Sequence, residues 1–192
     1  DNTFIGYKAG FSGETDNANG NTATDNVAVG SMAMGGNTGS ATSNLFTTTD
    51  SVAVGKFALT ALTSGVSNVG IGSNAGVQIS SGASNTAMGH RALYAVTTTS
   101  ENTALGKDAG FDTTGSSNTF VGYQAGFENT NGDQNIFIGK WAGKNQVGAV
   151  HYNIAIGNQA LGGVATQSGT VAIGHTALTA LTSGDGNVAI GY

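Results

Sequence analysis

The chain has 192 residues with 32 Gly, no Pro and no Cys, and only 9% of its residues are charged. A formal charge of −5 with just six Lys and Arg excludes the basic stripe that a nucleic-acid partner requires. No apolar run reaches the roughly 18 residues that a membrane helix needs, and Gly without a three-residue period or Pro excludes collagen. The 39% hydrophobic content argues for a packed core, and the absence of Cys leaves no disulfide framework to replace one.

One short phrase recurs from end to end: Asn, then Thr or Val, then Ala or Phe, then an aliphatic residue, then Gly. It opens at 2, 26, 51, 68, 85, 102, 118, 135, 153, 170 and 187, with most spacings equal to 17. Fixed-period self-similarity marks a solenoid. The expected architecture is therefore an all-β parallel β-solenoid of about eleven coils, a single array over 1–192. At roughly 4.8 Å per coil it would be about 50 Å long. The chain starts inside a repeat and stops at Gly191-Tyr192, which reads as a segment of a longer protein.

Each phrase predicts one short strand. The position before the Gly (Ile5, Val29, Val54 and so on to Ile190) is aliphatic or Met, and the position two before that is β-branched, from Thr3 to Val188. Alternate strand residues share a face, so these two columns are expected to fill the interior. The residue between them points the other way: Phe4, Ala28, Ala53, Ala87, Ala104, Phe120, Phe137, Ala155, Ala172 and Ala189, with Gly70 once. A water-facing column would carry Lys, Glu or Ser here. Apolar residues on both faces mean that both are covered, so this column is assigned to a chain–chain interface. The Gly marks positive φ or close approach. Asn opens nine of the eleven phrases, and stacked copies would form an amide ladder. Ala follows three residues after the Gly, then Gly, Leu or Met, as in Ala92-Leu93 and Ala125-Gly126. The rest of each unit is polar turn.

The strings Asn26-Val-Ala-Val-Gly30 and Asn187-Val-Ala-Ile-Gly191 resemble the head repeats of YadA-like trimeric autotransporter adhesins. The segments beginning Asn2-Thr-Phe-Ile-Gly-Tyr and Asn118-Thr-Phe-Val-Gly-Tyr look like related repeats of bacteriophage tail fibres and bacterial surface fibres. The resemblance covers nearly the whole chain, although family heads commonly use a shorter repeat. It implies a left-handed β-roll, a homotrimer, an extracellular place on a cell surface or virion fibre, and attachment through a cell-surface glycan or protein receptor.

His90 and His175 both follow a motif Gly but lie five coils, about 24 Å, apart, too far to share a metal within one chain. Segment 128–133, Glu-Asn-Thr-Asn-Gly-Asp, offers oxygen ligands without the full pattern of a calcium loop, and reads as a polar turn. No Ser-His-Asp set and no repeated carboxylate pair is found, so no catalytic residue, metal or cofactor is assigned. Two long units, 11–25 and 35–50, carry Asn-, Thr- and Gly-rich insertions, and insertions in solenoids often build the binding face. Asn17, Asn19, Asn44 and Phe46 are the receptor-contact candidates there. Phe57 and Trp141, two residues after a motif Gly, join them, as sugar platforms or as packing at a chain interface. The reading is a structural or adhesive fibre segment. The alternatives are an ice-binding solenoid, which needs regular Thr on an exposed strand, and a fibre-borne glycan-degrading enzyme, which needs a carboxylate pair in a cleft.

Overall fold

The structure, a computed structural model, describes residues 1–10, 22–35, 47–164 and 166–192. Eleven three-residue strands follow in chain order: β1 (Thr3–Ile5), β2 (Val27–Val29), β3 (Val52–Val54), β4 (Val69–Ile71), β5 (Thr86–Met88), β6 (Thr103–Leu105), β7 (Thr119–Val121), β8 (Ile136–Ile138), β9 (Ile154–Ile156), β10 (Val171–Ile173) and β11 (Val188–Ile190). Each pairs in parallel with the next, in one eleven-stranded sheet whose spatial order is the sequence order. Equivalent phrase positions face each other, as in Thr119 opposite Ile136 and Phe120 opposite Phe137. No α-helix occurs among the described residues. The chain is an all-β parallel β-solenoid.

Parallel strands require a return path. The return here is made of turns that stack on one another as the strands do. Leu59 N–H donates to Ala75 C=O at 3.0 Å, Gly76 to Ala92 at 2.9 Å and Gly126 to Ala142 at 2.9 Å. The segment after the motif Gly is thus a turn ladder, not a second strand. Its path needs the left-handed region at regular places: the second residue after the Gly has φ near +55° (Phe57 60°, Arg91 55°, Trp141 62°), and so does the residue before the phrase (Asp50 55°, Glu101 64°). The motif Gly itself has φ of about +130°, and a Cβ on Gly30 would lie 2.7 Å from the carbonyl oxygen of Gly55. No other residue satisfies both conditions.

The interior reverses the sequence expectation. Ala28, Ala53, Ala87, Ala104, Phe120, Phe137, Ala155 and Ala172 are completely buried within one chain. Phe4 and Ala189 occupy the same inward column in the first and last strands and are partly open. This column lines the core and cannot be the chain–chain interface assigned to it. The aliphatic and β-branched columns lie on the outer sheet face.

Two physical causes set this parity. The phrase-opening Asn shares its face with the middle residue, and its amide must be buried to build the ladder. The space between strand and returning turn is also narrow. Ala at the third position after the Gly is buried in the same core (Ala58, Ala92, Ala125, Ala142), and where the strand brings a larger side chain, Phe120 or Phe137, the next turn residue is Gly126 or Gly143.

The amide ladder expected from sequence is present. Asn102 Oδ1 accepts from the backbone N–H of Asn118 at 3.0 Å and from its Nδ2 at 3.1 Å. Asn118 Oδ1 does the same for Asn135 at 2.9 and 3.1 Å. The spare amide hydrogens reach turn carbonyls, as in Asn118 Nδ2 to Gly132 at 2.7 Å. Ser51 substitutes adequately: its Oγ accepts the Asn68 N–H at 3.1 Å. Thr170 does not, because its Oγ1 is buried without a partner.

Candidate functional site

The feature most demanding of a function is the outer face of the sheet. Two columns run along it, one of Val, Thr and Ile (Val52, Thr86, Ile136) and one of Val, Ile, Met and Leu (Val54, Met88, Leu105). None of these residues is buried within the chain. Leu105 is 46% exposed, and Ile136 and Val54 are nearly 40% exposed. Eleven strands at about 4.8 Å and three residues at about 3.3 Å give a largely apolar rectangle of about 500 Å². That is at the upper end of what a monomeric protein leaves bare. β-Branched residues keep the strands extended, so the composition that forms the sheet also makes its outer face sticky.

Polar residues flank this face. On the side where the strands begin stand the residues preceding each phrase, among them Asp25, Asp50 and Glu101, all exposed. On the side where they end stand the residues following the Gly, among them Lys56, His90, Lys107 and Lys140, also exposed. Beyond that lies the row holding the two aromatic candidates. Trp141 is half-buried; its indole N–H donates to Gln124 Oε1 at 2.9 Å, and Lys140 Nζ sits 4.0 Å from its ring centroid. A shallow groove of about 230 Å³ beside it is lined by Trp141, Lys144, Asn145, Gln159, Gly162 and Thr179. Phe57 is half-buried, with Lys56 Nζ 5.0 Å from its ring. The two aromatics belong to repeats far apart along the stack and form no common site. Asn17, Asn19, Asn44 and Phe46 lie outside the described residues.

One aromatic feature was not singled out from sequence. Tyr94, Phe111 and Phe127, each five residues after a motif Gly, stack with centroids 4.8 and 5.1 Å apart and interplanar angles of 12° and 9°. Arg91 lies 4.9 Å from the Phe111 centroid and holds Asp108 Oδ1 at 2.8 Å. The equal offset of the three rings from their glycines was the available signal. Because they stack on each other, they present edges rather than faces, which suits lateral stiffening better than sugar stacking.

The oxygen-rich turn at 128–133 is tied into the fold. Asn129 Nδ2 donates to Gly132 C=O at 3.0 Å, and Asp133 Oδ1 accepts the Ser116 N–H at 2.7 Å. His151 Nδ1 accepts the Asp133 N–H at 3.1 Å. His175 stacks on Tyr192 at 5.3 Å. Among the described residues no group of three His, Cys, Asp or Glu side chains is placed to hold a metal. No protein-family model, curated protein or solved structure matches this chain.

Proposed function

We propose that the chain is a structural and adhesive segment of a homo-oligomeric fibre, built by association of its outer sheet faces. One observation carries this reading: a column of aliphatic or Met side chains, from Ile5 through Val54, Met88 and Leu105 to Ile190, runs along the outer face of all eleven strands, and none of them is buried within the chain. A patch of that length is best covered by a surface with the same repeat, and a second copy of this chain has one. The number of copies, three, and the extracellular setting on a cell or virion fibre come from the resemblance to trimeric adhesin heads and tail-fibre repeats. So does the receptor class, a glycan or protein on a cell surface. In this reading the fibre projects and repeats weak contacts, and parallel copies multiply them through effective concentration. The half-buried Trp141 beside its groove is the most suitable described contact for a sugar face, and the reading includes no catalytic role.

Light scattering or sedimentation equilibrium on the chain tests the reading. A defined oligomer is expected, and a stable 19.0 kDa monomer at micromolar concentration would overturn it. The ice-binding alternative gains one observation, since Thr86, Thr103 and Thr119 lie side by side on the outer face. Their run is short and is flanked by Met88 and Leu105, so no thermal hysteresis is expected.

A further inference from the structure

The charges beside the outer face are sorted by edge, and the sorting defines how two copies fit. This step rests on the reading that the outer face self-associates. In the column preceding the strands there are acids, Asp25, Asp50 and Glu101 among them, and no Lys or Arg at all. In the column following the motif glycines there are Lys56, Lys107 and Lys140 with His90 and His175, and no acid. Two repeats carry both signs at the same offset, Asp50 with Lys56 and Glu101 with Lys107. Within a chain the members of each pair stand on opposite sides of a strand, six residues or about 20 Å apart. They do not reach each other, and among the described residues no ion pair uses any of the four. Lys107 Nζ lies 5.8 Å from the Tyr123 ring centroid, and Glu101 Oε2 accepts only the Ser117 hydroxyl at 2.8 Å.

We infer that, in the parallel association already proposed, the edge charges set the register: the acidic edge of one copy lies against the basic edge of the next, with Asp50 opposite Lys56 and Glu101 opposite Lys107 across each contact. Rotating a copy about an axis parallel to the strand stack brings the outer faces together and exchanges their edges, so acid meets base. Turning a copy end for end about the strand direction keeps the edges, so acid meets acid and β3 lies over β9. A parallel pair slipped by one repeat puts Asp50 opposite Ser31 or Ser73, loses both matches at each edge and gains a single one, Asp25 opposite Lys56. The apolar columns are nearly uniform along the stack and discriminate poorly between these arrangements. The edge charges discriminate between them, as charge does at interfaces generally. The inference holds for any number of copies around the axis.

The test uses surface variants whose melting and circular dichroism are compared with the parent to establish folding. Lys56→Glu with Lys107→Glu makes both edges acidic, and Asp50→Lys with Glu101→Lys makes both basic. Each double variant is expected to self-associate about tenfold or more weakly at low salt, as sedimentation equilibrium reads it. The quadruple variant exchanges the edges and is expected to return to within about threefold of the parent. Because the chain contains no Cys, single Val54→Cys and Ile156→Cys variants report the polarity. Edge exchange leaves the two copies of each Cys about 12 Å apart, a two-residue offset added to the sheet spacing. That is too far for a direct disulfide, so a bifunctional thiol reagent of about that span should cross-link Val54→Cys to itself and Ile156→Cys to itself. Cross-links found only in a mixture of the two variants would mean antiparallel packing and overturn the inference while leaving self-association intact. Failure of the quadruple variant to recover, or parent association that strengthens with salt, would overturn it equally. A parent that is monomeric under all conditions removes the self-association reading and this inference with it.

Discussion

The repeats around β9 and those around β7 and β8 build the same turn with opposite distributions of bulk. In the first, the strand contributes Ala155 and the returning turn contributes Leu161, both fully buried. In the second, the strands contribute Phe120 and Phe137, and the turn answers with Gly126 and Gly143. A Cβ on Gly126 would stand 2.3 Å from the Phe120 ring, and one on Gly143 2.4 Å from Phe137. The two rings lie 5.8 Å apart along the stack. The backbone barely changes: Gly143 has φ of 54° and Leu161 of 50°. The solenoid thus fixes the path and leaves the core free to move volume from one wall to the other, provided the sum is kept.

That equivalence can be broken from either side. Gly143→Leu drives a side chain into the Phe137 ring and is expected to cost more than the roughly 1–3 kcal/mol of ordinary overpacking. Phe137→Ala leaves a hole and should cost about 3–5 kcal/mol. The two together recreate the Ala155–Leu161 arrangement, so the double variant should recover most of the loss. Denaturant melts of the four proteins measure the coupling, and simple additivity would show that the two walls do not exchange volume. The contrast between faces gives the next effect. Ala104→Asp buries an unpaired carboxylate and should destabilise the chain by several kcal/mol, whereas Ile138→Asp, on the outer face, should leave the folded chain intact and abolish association. Thermal melting and light scattering on the same samples separate the two.

A smaller effect sharpens the comparison at the far wall of the core. Seven residues after the motif Gly, the upstream repeats place Leu62, Ile79 and Val96, and the Phe-containing region places Thr113, Asn129 and Gln146, all buried. Gln146 Nε2 reaches Leu161 C=O at 2.8 Å, but its Oε1 has no partner. Gln146→Leu removes that unmet acceptor but also strips the donor from the Leu161 and Gly163 carbonyls, so it is expected to destabilise the chain by about 1 kcal/mol. An unchanged or raised melting temperature would mean that the amide does no more than fill space. The smallest effect belongs to Asp112, whose carboxyl is raised above its ordinary value by partial burial. Its ionised form is disfavoured in the folded chain, so its relative contribution is fully present below the unfolded pKa and is lost as pH rises through the higher folded value. Asp112→Asn should melt slightly higher at neutral pH, and the difference should vanish on acidification.

Much of this was legible in the sequence. The period located every strand, the Asn column announced its ladder, and apolar residues on both strand faces announced that a single chain leaves one face bare. The assignment of faces was not legible from hydrophobicity, because Ala and Ile are both apolar and the larger residue is the usual choice for an interior. Two cues pointed the other way. The ladder's Asn needs burial and shares its parity with the Ala and Phe column. The pairings of Phe120 with Gly126, Phe137 with Gly143 and Ala155 with Leu161 show that column exchanging volume with the turn, which only an inward residue can do. The edge charges were legible as residues but had no meaning until Val52 and Val54 were placed outside between Asp50 and Lys56.

The amide ladder also sets where the molecule would part under load. From Asn2 to Thr170 each junction between successive repeats carries a bond to the phrase-opening side chain besides the strand pairing, the last being Thr170 N–H to Asn153 Oδ1 at 2.8 Å. At the next junction that rung is missing: the Thr170 hydroxyl bonds to nothing, and Asn187 turns its amide to Gly184 within its own repeat. The side-chain bonds that remain there are turn contacts, Ser168 N–H to Asp185 Oδ1 at 2.8 Å and Thr166 Oγ1 to Thr182 C=O at 3.4 Å. A stack held by neighbour contacts yields at its weakest contact rather than at its average one. Pulled along its axis, this one should open first between β10 and β11. Thr170→Asn would move the first rupture elsewhere and raise the force needed to reach it.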